Sequence, residues 1–457
     1  MAQLTTQQSS VLAKDFSGLQ PYYLMLTFWG EKYRQYFYSL CLPSLLSPNN
    51  VPVLQQVRGS KLIIATTEND WNALKGMPLF QLLSKYIEPY FINIGYPPPH
   101  VPIQLHMSKG HILAARKAYE DGAYAGFLAP DLIVSDGLVK FCMTQAALGK
   151  KVVLAQALRF AMEPLVETLQ KQGFMKLDEP IVLPPRYAGS LATKALHSEI
   201  RRYEFGSPYF RNYPLWCYWR VPGRDCLVMH TVSWALLLGS YKELAKYHDN
   251  LLQSNTIDSF YLYQNFSRFR DTGEMHLITD SDEGLFISLT PEAELSYPLT
   301  TRRSTYSQRL TDMQRLLASE VLDPFRRWAY QVPTFIHGDD LDGQAVRVAG
   351  ESVAVTTTAV ALAVASKYTA TTTIEEKLIW GVSVGSKEIK DIFRAIVGPL
   401  IVPLLGRLPR FILLLVLRAV PRPFVRSVVY RLTHSKAGCQ FWEKEKIHGK
   451  LARSRMR

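Results

Sequence analysis

The stretch IQLHMSKGHILAARKAYEDGAYAGFLAPDLIVSDG, residues 103–137, contains four side chains able to bind a metal or move a proton: His106, His111, Asp131 and Asp136. A carboxylate placed after an apolar strand, as Asp131 is, can hold Mg²⁺ or Mn²⁺ and, through the ion, a diphosphate. Asp136 stands just before Gly137, where a carboxylate equally serves as a helix N-cap. His106 and His111 lack the i, i+4 spacing of a zincin helix, and each alone reads as readily as a hydrogen-bonded structural ring. A second acidic group, Asp280-Ser281-Asp282-Glu283, crowds carboxylates that repel one another unless a cation, an arginine or water neutralises them. It is expected to bind metal or supply a base, against the plainer reading of a solvated turn. Asp258, in TIDSFY, is a further candidate for a general base, or a turn residue. The chain has no GxGxxG, GxxxxGK[ST] or GxSxG, which removes dinucleotide-binding, P-loop and α/β-hydrolase chemistry.

These side chains need elements to hold them. YYLMLTFWGEKYRQYF reads as a strand passing into a loop at Trp29-Gly30 and then a helix. SKLIIATTENDW reads as a strand ending at Thr66, Thr67 and Asp70. A helix is expected over about Ala73 to Tyr90, then a strand at VPIQLHM and a helix capped by Ser108 and closed by Asp121-Gly122. AYAGFLAP reads as a strand, LVKFCMTQAALG as a helix and KKVVLAQAL as a strand. This alternation predicts an α/β fold with a mostly parallel sheet flanked by helices. In such sheets ligands sit outside the carboxyl ends of the strands. His106 would end one strand and Asp131 follow the next, on one rim with Thr66, Thr67 and Asp70 if those strands pair. From 160 to 330 a Pro-punctuated helical connector leads into two aromatic-rich strands joined at Pro222-Gly223.

The net charge is +13, and it is not spread evenly. From Ser386 onward there are 16 Lys or Arg against 4 Asp or Glu, a net +12, so the preceding 385 residues carry only +1. A neutral body disfavours nucleic acid as a partner, while a basic tail favours an anionic surface. The 5 cysteines show no CxxC spacing and read as reduced and structural in a cytoplasmic protein. No secretory signal is read at the N-terminus.

Taken together, LTFWGEKYRQYFYSLCLPSLLSPNNVPVL, LIIATTENDW, HMSKGHILAARKAYEDGAYAGFLAPDLIVSDG, GKKVVLAQALR, NTIDSFY and HLITDSDEGLFISLTP resemble a bacterial family of glycosyltransferase-like proteins. That family has a GT-A-like nucleotide-diphospho-sugar transferase fold. The likeness spans about residues 22–295 and keeps the motif order. It implies a nucleotide-sugar pocket near Thr27, Trp29, Thr66 and Asp70, with His106 on the same rim. Asp131 stands where such enzymes place a metal-binding acidic motif, although Pro130-Asp131 is not a DxD, whereas Asp280 and Asp282 form a literal DxD late in the chain. VMHTVSW keeps His230 but departs from the family's His- and Pro-rich run, which implies an altered acceptor side or a lost activity.

The expected organisation is a GT-A-like domain over 20–300, a helical or mixed extension over 301–385 and a basic amphipathic helical tail over 386–457. In the tail, Arg407, Arg410 and five prolines interrupt the apolar runs, and Arg418, Arg422 and Arg426 recur every fourth residue. That pattern suits the interface of an anionic membrane better than a span. Val353 to Ala365 reads as too short to span and as packed inside a C-terminal domain. The function expected is transfer of a sugar from a nucleotide-diphospho-sugar to a glycan or lipid-linked acceptor, with a divalent metal, by a peripheral membrane protein. Two other readings stand beside it: a metal-dependent hydrolase using His106, His111 and Asp131, and a non-catalytic sugar-binding protein on the membrane.

Overall fold

The computed structural model describes residues 15–249, 260–294, 304–319 and 323–370. Asp258 and the whole basic tail from Ser386, with Arg418, Arg422 and Arg426, lie outside the described residues. The chain divides into two compact units, 1–360 and 361–457. The first unit carries all the strands and the candidate site described below.

In chain order the elements that matter are β1 (Tyr22–Thr27), α1 (Glu31–Tyr36), β2 (Lys61–Thr66), α2 (Glu68–Lys75), α3 (Pro78–Leu83), β3 (Glu88–Asn93), α4 (Ile103–Glu120), β4 (Tyr124–Phe127) and β5 (Leu132–Val134). They continue with α5 (Leu138–Ala147), β6 (Val152–Gln156), β7 (Leu158–Ala161), α6 (Met162–Lys171), α7 (Pro185–Lys194), β8 (Trp216–Arg220), β9 (Cys226–Thr231) and β10 (Trp234–Ser240). The last are α8 (Phe260–Phe266), β11 (Met275–Leu277), β12 (Phe286–Thr290), α9 (Tyr306–Ala318), α10 (Pro324–Ala329), β13 (Thr334–His337) and α11 (Gly343–Ala370).

Strand side chains alternate across a sheet, and here both faces are apolar. Tyr22, Leu24, Leu26, Leu62 and Ile64 enter one core with α3 and α5. Tyr23, Met25 and Ile63 enter the other with α4 and α8. Burial on both faces explains why β1 and β2 read as continuous apolar runs. The central sheet has seven strands in the order β11-β6-β10-β4-β1-β2-β3. It is mixed: β10 runs antiparallel to β4 and β6, while the remaining pairings are parallel. Two smaller sheets, β5-β12-β7 and β13-β9-β8, enclose a third core with α6 and α7.

Two expected elements are corrected. VPIQLHM is not a strand, because Ile103–Glu120 forms one 18-residue helix. Its apolar-polar alternation at 103–107 imitates a strand, but the helix repeat that packs is Gly110, Ala114 and Ala118 against the sheet. Ser108 therefore lies inside the helix and donates to the Gln104 carbonyl rather than capping. The third parallel strand is instead β3, concealed in what reads as the end of a helix. Pro89 is tolerated there because β3 is the sheet edge and half-exposed.

The apolar stretch 353–365 is also longer in structure than it reads. It belongs to the 28-residue α11, whose first amides at Gln344 and Ala345 are capped by the Asp342 carboxylate at 2.9 and 3.0 Å. By length and composition Gly343–Ser366 could cross a bilayer. Its beginning is instead fastened to the domain: Ala345, Val348 and Ala349 pack with Val228 of β9. His230 completes the tie, with Nδ1 donating to the Tyr330 carbonyl at 2.9 Å and Nε2 facing Ser352 Oγ at 2.8 Å. This ring is fully enclosed, so His230 is a structural clamp in this fold.

Candidate functional site

The crevice forms where the strand order reverses. The chain runs from β1 to β2 and β3 on one side, then returns to place β4 on the other side of β1. At such a switch point the loops leaving the two strands part and leave room for a ligand. A cavity of about 580 Å³ opens there, lined by Thr27 of β1, Trp29 of the loop after it, Asp131 from the β4–β5 turn and His111 from α4. Its walls are largely apolar, with Met107, Leu128, Leu158, Trp216 and Leu236 among them.

The β1 loop is held by a buried polar hub. Thr67 caps α2 by accepting from the Asp70 amide at 3.1 Å. The Asp70 carboxylate, fully enclosed, accepts from Thr67 Oγ1 at 2.6 Å, the Gly30 amide at 2.8 Å and Arg34 at 2.6 Å. Gly30 has φ of +84°, which suits the residue that turns the chain into α1. Asp70 thus shapes the loop that carries Trp29 instead of facing the cavity. Thr66 ends β2 on the same rim, enclosed, and is not a wall residue.

His106 is buried on α4, not on a strand rim. Its Nε2 pairs with the Gly95 carbonyl at 3.1 Å and its ring meets Trp29 edge-on at 4.8 Å, so it buttresses the tryptophan from behind. Asp136 does not cap α5. Its carboxylate accepts from Ser47 Oγ, the Asn49 amide at 3.0 Å and the Asn49 side chain at 2.8 Å, pinning the loop that follows the helical run ending at Leu45.

Asp131 differs from these in having no side-chain donor among the described residues. Burial pushes its carboxyl pKa up to about 6, opposed by its own backbone amide and by the charge of Arg159. Arg159 lines the same cavity and sits 3.3 Å from Glu199. Sequence reasoning passed over Arg159, although an arginine inside VVLAQALRFAM is a visible anomaly in an otherwise apolar run.

Asp280 and Asp282 do not line this cavity. They meet His337 at the end of β13, and one potential ligand atom from each of the three lies within 4.8 Å of the others. The group could hold a metal ion, but its present partners are protein groups. Arg186 forks onto both oxygens of Asp282 and reaches Asp340 at 2.7 Å. His337 Nε2 lies 2.8 Å from Asp280 and Nδ1 2.6 Å from the Asp339 carbonyl, so both ring nitrogens face acceptors. Two facing acceptors favour the imidazolium. An ion would have to displace Arg186 and take the place of a proton. The arginine that the crowded DSDE demanded is therefore Arg186, brought from α7 by the close approach of Gly189 to the His337 carbonyl.

This cluster should leave a pH signature. Burial opposes charge on His337, but Asp280 and the Asp339 carbonyl outweigh it and raise its pKa above 6.5. Burial likewise opposes charge on Asp280, yet His337 and the Asp282 amide lower its pKa below 3.8. The His337 contribution is complete below pH 6.5 and is lost as pH rises through its raised value. The Asp280 contribution is present above pH 3.8 and lost as pH falls through its lowered value. In urea titrations the stability gap between wild type and His337→Gln should be widest between these limits and close as the solution turns alkaline. A gap that stays constant from pH 5 to pH 9 would remove the imidazolium.

No protein-family model matches the chain, and no curated protein matches it. Among the described residues His106, His111 and Asp131 form no three-membered ligand group of the kind seen at Asp280, Asp282 and His337.

Proposed function

We propose that the protein is a glycosyltransferase of GT-A-like fold, binding a nucleotide-diphospho-sugar in the crevice between β1 and β4. The observation that carries this reading is the convergence of Thr27, Trp29 and Asp131, from two separate strand ends, on one cavity at the strand-order reversal. Such crevices are the ligand sites of open α/β sheets. The mixed sheet, with β10 antiparallel among parallel neighbours, is compatible with the fold implied by the resemblance.

A divalent metal, Mn²⁺ or Mg²⁺, has a candidate ligand in Asp131. Mg²⁺ at nucleotide sites commonly takes one or two protein carboxylates and completes its shell with phosphate oxygens and water. A carboxylate with no side-chain donor among the described residues, whose ionisation burial disfavours, suits that arrangement. The ion would neutralise diphosphate charge and stabilise the leaving group. Within the cavity Asp131 would hold the ion and Arg159 would add positive charge. For Asp280 or Asp282 to activate an acceptor hydroxyl, Arg186 would first have to leave. Asp258, the other proposed base, lies outside the described residues.

The acceptor in this proposal is a glycan or a lipid-linked glycan. The enzyme works at the cytoplasmic face of an anionic membrane, reached through the basic residues from 386 onward, and has no nucleic-acid partner. A thermal-shift screen of UDP-, GDP-, CMP- and dTDP-sugars with and without Mn²⁺ tests the donor step. One donor class should raise the melting temperature in a Mn²⁺-dependent way. If no nucleotide sugar does so, donor binding fails. Binding without turnover on any glycan or lipid-linked acceptor would instead favour the sugar-binding alternative.

A further inference from the structure

The cavity extends past the junction of β1 and β4. Beyond β4 the sheet continues into β10 and then β6. Trp234 at the start of β10 pairs with Gln156 at the end of β6, so the two strands meet on one rim. Around that rim Leu158, Val232 and Leu236, with Trp216 of β8, wall a second part of the cavity. All four are buried. The Trp216 Nε1 donates to the Ala157 carbonyl at 2.9 Å, so what the indole has left to offer a ligand is its apolar ring. The mouth is apolar as well: Ile103, Tyr33 and Leu215 line the cavity and are 64%, 40% and 38% exposed. Large apolar side chains gathered in water at one opening mark a contact with an apolar ligand or surface. Two cations interrupt these walls, Arg159 and Arg326, and their carboxylate partners Glu199 and Asp323 lie outside the lining. Glu199 meets Arg159 at Nε, and the terminal amino groups of Arg159 have no partner among the described residues. That side chain is 39% exposed, so its guanidinium is open to a ligand.

We propose that this part of the cavity takes the hydrocarbon chain of a lipid phosphate, with the phosphate on Arg159, and that the acceptor is recognised by its lipid rather than by a glycan. A nucleotide sugar is polar on nearly every face and leaves apolar walls unused, whereas a chain of methylene or prenyl units fills them. The planar guanidinium fork matches phosphate oxygens in pairs. A neutral lipid would leave that cation unanswered, and inorganic phosphate would leave the walls bare. Arg159 lies close enough for its charge to act on Asp131, which puts the phosphate head beside the proposed metal. The net +12 from Ser386 onward suits collection of such a lipid from an anionic membrane. The inference rests on the transferase reading and narrows its acceptor, but the binding is tested without a donor.

Titration calorimetry of the full-length chain with octyl phosphate, hexyl phosphate, octanol, octanoate and inorganic phosphate, all below micelle-forming concentrations, tests it. Octyl phosphate should bind, and hexyl phosphate should bind about tenfold more weakly for the two methylenes removed. Octanol, octanoate and inorganic phosphate should each be weaker than octyl phosphate by about tenfold or more. Arg159→Gln should bring octyl phosphate down to the level of octanol. Leu215→Asn and Ile103→Asn, at exposed positions that the fold tolerates, should weaken octyl phosphate and octanol by the same factor. An octyl phosphate carrying a diazirine at the far end of its chain should, on irradiation, label the peptides that hold Trp216, Val232 and Leu236. The inference is overturned if octanol or octanoate binds as tightly as octyl phosphate, if Arg159→Gln binds as wild type does, or if the label falls only on residues from 386 onward. Nucleotide sugars that bind with Mn²⁺ while no alkyl phosphate does would remove this inference and keep the donor reading. Octyl phosphate that labels these walls while no nucleotide sugar binds would keep the lipid site and remove the donor reading.

Discussion

Asp70→Ala is expected to destabilise the protein by about 3–5 kcal/mol, the usual consequence of removing one partner from a buried ion pair. The carboxylate is fully enclosed and accepts from Arg34, the Gly30 amide and Thr67 at once. Alanine would leave the Arg34 guanidinium, only 14% exposed, with its charge uncompensated and the Gly30 amide without an acceptor. The β1 loop carrying Phe28 and Trp29 would then lose its anchor, so ligand binding should weaken together with stability. Asp70→Asn retains one carbonyl oxygen but turns an amide toward donors, and should fall between alanine and wild type. Urea denaturation measures the difference. A loss below about 1 kcal/mol would place Asp70 among ordinary surface pairs and remove it as the organiser of the crevice.

Asp131→Asn should have the opposite signature, trading function for stability. A carboxyl whose pKa rises from 3.8 to about 6 on folding penalises the folded state wherever it is ionised. Below pH 3.8 the group is neutral in both states and the penalty vanishes; it grows as pH rises through about 6 and is complete at neutral pH. An amide of the same shape avoids it, so the variant should be about 1–3 kcal/mol more stable than wild type at pH 7, a range that allows for partial solvent access. The same change removes the anionic ligand proposed for the metal. The Mn²⁺-dependent part of donor binding should then weaken by roughly 2–3 kcal/mol, typical of a contact to a charged group. Titration calorimetry with and without Mn²⁺, beside denaturation at pH 5 and pH 7, reads both effects. Unchanged Mn²⁺-dependent affinity would take Asp131 out of the site, whatever its stability.

Asp131 and Asp70 show how differently two carboxylates at strand ends can behave. Both follow apolar strands and both read as rim residues. What separates them is the presence of Arg34 and Gly30, which lie 36 and 40 residues from Asp70 in the chain and beside it in the fold. The same distance effect governs DSDE. Its local crowding announced that a counter-charge was needed, but Arg186 stands 96 residues away from Asp282 and His337 stands 57 from Asp280.

By itself the sequence determined the α/β class, the strands β1, β2, β4 and β6, and the placing of Trp29 and Asp131 beyond carboxyl ends. Each of these follows from local patterns of apolar burial and from where they stop. Tertiary structure alone decided that residues 103–120 form a helix, that β3 is the sheet edge and that β10 runs antiparallel inside the sheet. It alone decided which polar groups are satisfied by distant partners and which, like Thr27 Oγ1 and His111 Nδ1, are buried without one among the described residues. The physical reason is that apolar periodicity is written residue by residue, whereas the partner of a buried charge or hydroxyl is chosen by packing between elements far apart in the chain.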